Sequence, residues 1–187
     1  MSKARLLLGG TLLAALLQTV ALAGMLWPRY QLLEAGKEVV LQSAMVDPRD
    51  LFRGHYTRLN LTAGTPEFGK IGVTGELEYG QPVFVELKQG DGEYWIASHL
   101  YAEMPEAPQG PILQARLNGP VPGKEGETYR LGFPFDRFFA PEKRALELQD
   151  LSGKRKLGVI IAVGSGGQGL IKGITIDGDR VYSEKVF

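Results

Sequence analysis

The chain has 187 residues, a formal net charge of +0 at pH 7 and a pI near 6.8. That length fits one globular domain with a short additional segment, and it excludes two large domains. The balanced charge gives no electrostatic footprint for nucleic acid, so no nucleic-acid partner is expected. Because the chain contains no cysteine, it has no disulfide framework, no thiolate nucleophile and no cysteine-based metal site.

An uncharged apolar stretch lies close to the N-terminus. Lys3 and Arg5 precede residues 6–26, and aromatic and cationic residues follow directly. A helix of about 20 apolar residues crosses a bilayer, and such flanking residues mark its interfaces. We therefore expect residues 1–30 to form a transmembrane anchor in contact with lipid, with its N-terminus in the cytoplasm. The alternative is a signal peptide cleaved after the small residues at 21–23.

The remaining residues, 31–187, are expected to form one extracytoplasmic β-rich domain. Strand-like segments alternate with turn signals, at residues 38–46, 56–61, 82–88, 93–101, 112–117, 127–133, 157–163, 170–176 and 180–183. Residues 141–150 are predicted to form the one short soluble helix, with Pro141 at its first position. This pattern predicts a mainly β fold, an antiparallel open barrel or sandwich, and not a parallel α/β sheet.

Two features suggest cofactor or metal chemistry at first sight. Residues 164–169 match G-x-G-x-x-G, but a strand-like segment follows and the chain has no room for the rest of a dinucleotide-binding unit. We predict a hairpin loop there. His55 and His99 are expected at surface or strand positions, because two isolated imidazoles do not make a zinc site. No cofactor, metal ligand or catalytic residue is predicted.

Polar residues concentrate in residues 47–61, which read DPRDLFRGHYTRLNL. Asp47 and Asp50 are predicted to cap the turn and to pair with Arg49 or Arg53. Cation binding or acid–base chemistry by the two carboxylates is the alternative.

The same stretch resembles the signature of the GDYXXLXY family of bacterial membrane-anchored proteins. The resemblance rests on Gly54, Tyr56 and Leu59, and further similarity lies in residues 135–142 and at Glu147. His55 replaces the Asp of the signature and Leu61 replaces its final Tyr. Any role of that carboxylate or that hydroxyl is therefore not carried over.

The resemblance implies a single-pass protein of the bacterial inner membrane with a periplasmic domain, of a kind commonly associated with polytopic membrane proteins. It implies no established activity. We accordingly expect a non-catalytic accessory or interaction subunit of a membrane complex. The residues expected to form its interaction site are Asp47, Pro48, Arg49, Asp50, Arg53, Gly54, Tyr56, Leu59, Asp136, Arg137, Phe139 and Glu142. Within this set, a polar constellation is expected near the anchored end of the domain, with the last four residues opposing it; the constellation consists of Arg49, Asp50, Arg53 and Tyr56.

A weaker resemblance suggests an enzyme. Residues 43–48 are similar to the segment after the anchor of type I signal peptidases, which implies Ser43 as a nucleophile activated by a lysine. One extra residue separates Ser43 from Met45, and the strand expected to supply the base has no lysine. Lys88, the nearest, is expected to be solvated and protonated, which makes it a poor base.

A second alternative is a binding module for a cell-envelope glycan or lipid. Tyr94, Trp95 and Tyr101 lie on one predicted strand and could form a stacking strip for such a ligand. Strand alternation turns Tyr94 and Trp95 to opposite faces, so core packing accounts for at least one of these rings.

Overall fold

A computed structural model describes residues 3–46, 56–90, 92–135, 137–139 and 156–184. Helix α1 occupies Lys3–Ala35, and within it Leu8–Ala35 is long and apolar enough to cross a membrane. The helix ends at Gly36, whose amide donates to the carbonyl of Leu32 at 2.9 Å. Strand β1 begins at the next residue, so a single residue connects the helix to the sheet.

The described residues contain eleven strands and one 3₁₀ turn. The strands are β1 (Lys37–Val46), β2 (Tyr56–Leu61), β3 (Gly72–Thr74), β4 (Pro82–Gln89), β5 (Tyr94–Tyr101), β6 (Ile112–Leu117), β7 (Leu131–Gly132), β8 (Arg137–Phe139), β9 (Leu157–Val163), β10 (Gly169–Ile176) and β11 (Asp179–Ser183). The 3₁₀ turn, Thr62–Gly64, follows β2 directly. The mainly β class predicted from the sequence is confirmed.

The strands form one open sheet in the order β11-β10-β9-β1-β5-β4-β6-β7. Strand β2 pairs with β1 and β8, and β3 pairs with β5. Most pairs are antiparallel, as the sequence predicts, but β5 runs parallel to both β1 and β3. These parallel pairs join strands that are distant in sequence, and turn signals specify only pairs that are adjacent in sequence.

Strand boundaries agree well with the sequence pattern except in three places. Strands β3 and β8 have three residues each, too few for a period of two to emerge from the sequence. The strand predicted at 127–133 is reduced to β7 and an isolated bridge between Glu67 and Thr128. The helix predicted at 141–150 lies outside the described residues.

The core extends across the sheet and includes the region where β1 and β9 meet. All seven residues of β9 are buried, and Val39, Leu41 and Ile161 have no exposed surface. A strand covered on both faces requires a continuous apolar run, and LGVIIAV supplies one. Residues Lys37 and Ser43 mark the two ends of the ladder that β1 forms with β9.

The glycine-rich segment at 164–169 is the hairpin loop between β9 and β10, as predicted. Gly164 and Gln168 close the loop with a backbone hydrogen bond of 2.8 Å, and Gly167 has φ 83°, which favours glycine. The next hairpin, between β10 and β11, turns through Asp177 and Gly178 at positive φ. An Asp-Gly pair suits such a turn because both residues tolerate positive φ.

Candidate functional site

The described part of the signature is strand β2, which lies between β1 and β8. Its residues Arg58 and Leu61 pair with Val46 and Ser43 of β1 in antiparallel register. On its other edge β2 pairs with β8, so that the backbone of Tyr56 lies opposite that of Phe139. The fold thus brings together two segments separated by about eighty residues, both of which resemble the family signature.

The predicted site residues are only partly within the described chain. Leu59 is buried, and it belongs to the core rather than to an exposed surface. Tyr56, Arg137 and Phe139 are placed by their backbone pairing, with Arg58 opposite Arg137. Outside the described residues lie Asp47, Pro48, Arg49, Asp50, Arg53, Gly54, Asp136 and Glu142. The interaction role of the set therefore stays a prediction.

Strand β2 lies beside the end of β1 that is farther from α1, whereas Arg49, Asp50 and Arg53, expected near the anchored end, lie outside the described residues. Strand β1 leaves α1 at Lys37 and meets β2 only from Ser43 onward. The chain from Lys37 to Val46 spans about 30 Å when extended at ~3.3 Å per residue. Consecutive antiparallel strands pair at the ends that their connection joins, so β2 pairs with the half of β1 that is farther from α1.

Beyond Arg58, the edge of β2 faces β7 across a cavity of about 270 Å³. The residues lining the cavity come from β2, the turn after it, and the segments around β6 and β7: Leu59, Asn60, Leu61, Gly64, Thr65, Asn118, Arg130, Leu131, Gly132 and Phe133. Strand β7 is the last strand of the sheet order. Two short strand edges therefore face each other without a ladder between them in the described chain.

A second cavity of about 390 Å³ adjoins the first and shares Asn118, Gly132 and Phe133 with it. We call the two cavities together the signature groove. The side chain of Asn118 lies over Gly132, where an added Cβ would come within 2.1 Å of its Nδ2 atom. Gly132 is therefore what leaves room for the Asn118 amide between the two cavities.

Two exposed arginines border the signature groove. The guanidinium of Arg116 donates to the carbonyl of Gly80, which fixes its position beside β6. The stem of Arg130 lies against Gly119, where an added Cβ would be 3.0 Å from its Cδ atom. The described residues that line the groove include no carboxylate. Such an edge can bind an extended segment that carries acidic side chains or a carboxylate.

The sequence did not single out the groove because its residues come from four separate segments. The one signal that could have indicated it is the alternation in β6, where Gln114 and Arg116 are exposed between the buried Leu113, Ala115 and Leu117. That alternation places Gln114 and Arg116 on the same outer face of the sheet.

Ser43, the residue considered as a nucleophile, lies within β1 and is only 6% exposed. Its hydroxyl donates to the carbonyl of Asn60 at 3.3 Å, which ties β1 to the signature strand. Lys88 is exposed on β4, and β5 separates β4 from β1 in the sheet. In this geometry Lys88 does not supply a base to Ser43, since a general base must lie within hydrogen-bond reach.

The aromatic residues of β5 do not form one strip. Trp95 packs partly on the core, with the ammonium of Lys37 at 5.1 Å from its ring centroid. Tyr101, at the other end of β5, stacks on His99 with ring centroids 4.3 Å apart. His99 is thus at a strand position, as predicted, and it hydrogen-bonds Thr74.

A buried carboxylate that the sequence analysis missed lies beside these rings. Glu86 accepts hydrogen bonds from the amides of Gln109 and Gly110 and from the hydroxyl of Tyr101. Burial raises the pKa of Tyr101, and the hydrogen bond to Glu86 raises it further. These hydrogen bonds hold the loop before β6 in place. They also satisfy the Glu86 carboxylate, which would be costly to bury without partners.

These observations define a class of protein: a mainly β domain continuous with one helix that is a candidate membrane span. The chain belongs to the GDYXXLXY family, because the family model described as GDYXXLXY protein matches residues 18–174. The resemblance to this family is therefore confirmed, and the likeness to signal peptidases is not shown. Comparison with curated proteins and with solved structures gave no significant match.

Proposed function

We propose that this protein is a single-pass, extracytoplasmic accessory subunit that binds a multi-span protein of the bacterial inner membrane. The observation that carries the proposal is the rigid connection between α1 and the sheet. One residue links them, and Leu32 of α1 packs against the β9–β10 loop. A domain held this way presents its surfaces at a fixed position relative to the membrane, whereas a flexible linker would not.

The orientation proposed for the domain is periplasmic. Lys3 and Arg5 precede the apolar stretch, and cytoplasmic flanks of membrane spans carry an excess of such residues. The side chains of Leu12, Leu16 and Val20 in the span are 60–63% exposed, and no residue of its most apolar window is buried. Lipid and helices of the partner are the surroundings that suit this surface.

The proposed interface is the signature strand β2 with the signature groove. Strand β2 is held by β1, the strand that continues α1, so the interface has a defined distance from the membrane. Arg116 and Arg130 would pair with carboxylates of the partner, for which a guanidinium is well suited. The proposal includes no catalytic step, cofactor or metal.

The first test is affinity capture of the tagged full-length protein from native membranes in mild detergent. We expect a stoichiometric multi-span protein to be captured with the wild type and lost with Arg53→Ala/Tyr56→Ala. The matched control is Lys70→Ala/Tyr79→Ala, which removes an exposed cation and an exposed tyrosine outside the signature groove. Recovery of the protein alone would overturn the proposal, and capture unchanged by the signature variant would remove the role of the signature.

A second variant tests the rigid connection itself. A flexible Gly-Ser insertion between Gly36 and Lys37 should abolish capture while the sheet stays folded. The same insertion between Gly123 and Lys124, in an exposed loop, should leave capture unchanged. Intact mass of the purified protein shows whether α1 is retained.

A further inference from the structure

A third cavity, separate from the signature groove, lies where α1 meets the β9–β10 loop, and we call it the junction cavity. It has a volume of about 640 Å³, within the range of sites that hold small ligands. Its lining comes from the last two turns of α1 and from the loop with its flanking residues: Pro28, Arg29, Gln31, Leu32, Ala35, Gly36, Val163, Gly164, Ser165, Gln168, Gly169 and Leu170. It contains none of the signature residues.

The junction cavity has a cationic end and an apolar wall. Arg29 provides the cation and forms no ion pair with any residue that the structure describes. Ser165 and Gln168 add hydrogen-bond donors from the loop. Leu32, Val163 and Leu170 are apolar and lie beside them. The described lining residues include no acid, so an anionic group with an attached apolar part is complementary to this surface.

The position of the cavity along α1 indicates what that anion is. Trp27 and Tyr30 flank the lining residues Pro28 and Arg29, stack with ring centroids 5.9 Å apart, and are 61% and 39% exposed. Exposed Trp and Tyr at the end of a membrane span lie at the level of the lipid headgroups. If α1 spans the membrane as proposed, the cavity opens among phosphates.

Close contacts hold the two walls in place. A Cβ added at Gly164 would lie 3.1 Å from Cδ1 of Leu32, and one added at Gly36 would lie 3.2 Å from the Cβ of Ala162. The side chain of Gln168 folds against Gly164 and Gly166 in the same way. The glycines of the loop thus let α1 and the loop approach each other, which accounts for the glycine-rich sequence of this hairpin.

We propose that the junction cavity binds the headgroup of an anionic phospholipid, with its phosphate on Arg29. Ser165 and Gln168 would donate to phosphate or glycerol oxygens, and Leu32, Val163 and Leu170 would contact the start of the acyl chains. The phosphate belongs at the Arg29 end, because the C-terminal carbonyls of α1 near Gly36 carry partial negative charge. The inference rests on the membrane anchoring in the proposed function but on none of its partner contacts.

The test is native mass spectrometry of the delipidated full-length protein, titrated separately with phosphatidylglycerol and with phosphatidylethanolamine. We expect one phosphatidylglycerol per chain, bound at least about tenfold more tightly than phosphatidylethanolamine. Arg29→Gln should weaken phosphatidylglycerol binding about tenfold, a loss typical of one charge-assisted contact. The affinity of Arg29→Lys for phosphatidylglycerol should fall between those of the wild type and Arg29→Gln, because an ammonium keeps the charge but lacks the planar guanidinium geometry.

Lys37→Gln is the matched control, since Lys37 is a cation at the same end of α1 that does not line the cavity. It should change the affinity less than about twofold, within the small effect of an exposed charge. Equal affinity for the two lipids, or no effect of Arg29→Gln, would overturn the lipid site while leaving partner capture untouched. A purified protein whose intact mass lacks α1 would overturn the site and the anchoring together.

Discussion

The two halves of β1 have different neighbours. The near half, Lys37–Ser43, pairs with β9 throughout and lies next to the fully buried Ile161. The far half, from Ser43 to Val46, pairs with the signature strand, beyond which lies the signature groove. The near half therefore lies between β9 and β5, whereas the far half lies next to a strand whose residues Leu59, Asn60 and Leu61 line the signature groove.

The two halves of β1 therefore contribute to two different properties of the domain, its orientation and its proposed binding surface. The near half, with α1 and the β9–β10 loop, fixes the orientation of the domain by close apolar contact. Under the proposed function, the far half carries the binding surface, at a distance from α1 set by the length of β1. Polar groups such as Asn60 and Asn118 remain exposed there, whereas Val39 and Leu41 of the near half are fully buried.

The largest expected effect is the loss of stability when one buried side chain beside each half of β1 is truncated. Ile161→Ala should lower the free energy of unfolding by about 2–5 kcal/mol, because a fully packed site cannot close the cavity it leaves. Leu61→Ala, 4% exposed but next to the signature groove, should cost near the lower end of that range, since water can enter from the groove.

Urea unfolding of the full-length protein in mild detergent measures both losses, with Trp95 fluorescence in a Trp27→Phe background as the signal. An equal loss for the two variants would show that the far half is as tightly packed as the near half. The comparison between the halves would then fail.

The next effect is the difference in stability lost when a methyl group is added at each of two glycines. A Cβ at Gly158 would lie 2.2 Å from Oγ1 of Thr175 and 2.8 Å from Cγ1 of Val40, both within the sheet. Gly158→Ala should therefore cost about 1–3 kcal/mol through overpacking. Gly132→Ala meets the movable end of Asn118 and should cost less than about 1 kcal/mol. The same unfolding assay tests both substitutions.

Gly132→Ala has a second consequence, because it displaces the Asn118 amide from the signature groove. Under the proposed function, partner capture should fall in Gly132→Ala although the protein stays folded. Gly158→Ala, if it is expressed in folded form, should leave capture unchanged. The reverse order of effects on capture would place the interface away from the groove.

The sequence predicted the elements of the fold well where local signals are strong. The apolar run of β9, the Asp177-Gly178 turn and the end of α1 at Gly36 all follow from composition and turn chemistry within a few residues. Residues 164–169 were correctly interpreted as a hairpin loop because a strand follows them.

The sequence did not predict what depends on contacts between distant segments. The parallel pairing of β1 with β5 and the antiparallel pairing of β1 with β9 are set by packing of the whole sheet. The signature groove is lined from four segments, and the polar residues among them look like ordinary surface in isolation. Of the predicted interaction set, Leu59 is a core residue, which strand alternation alone allowed for but did not require.

The smallest expected effect is on the stability contributed by an ion-pair cluster at the near half of β1. Glu38 of β1 contacts Lys172 at 3.1 Å and Arg180 at 2.7 Å, reaching over β9 to β10 and β11. Burial disfavours the Glu38 carboxylate, but the hydrogen bonds and charges of Lys172 and Arg180 outweigh burial and lower its pKa. Since the folded-state pKa lies below the unfolded value, the cluster stabilises above that unfolded value and loses its effect as the pH falls through the lowered pKa.

Glu38→Gln should therefore cost about 0.5 kcal/mol near neutral pH, a small value because the Glu38 side chain is 40% exposed and screened by solvent. Below the lowered pKa the variant and the wild type should unfold at the same urea concentration, because the carboxylate is then neutral in both states of the wild type. High salt should reduce the neutral-pH difference as well. If Glu38→Gln stays less stable than the wild type in acid and in high salt, the lost stability comes from packing of the Glu38 side chain and not from its charge.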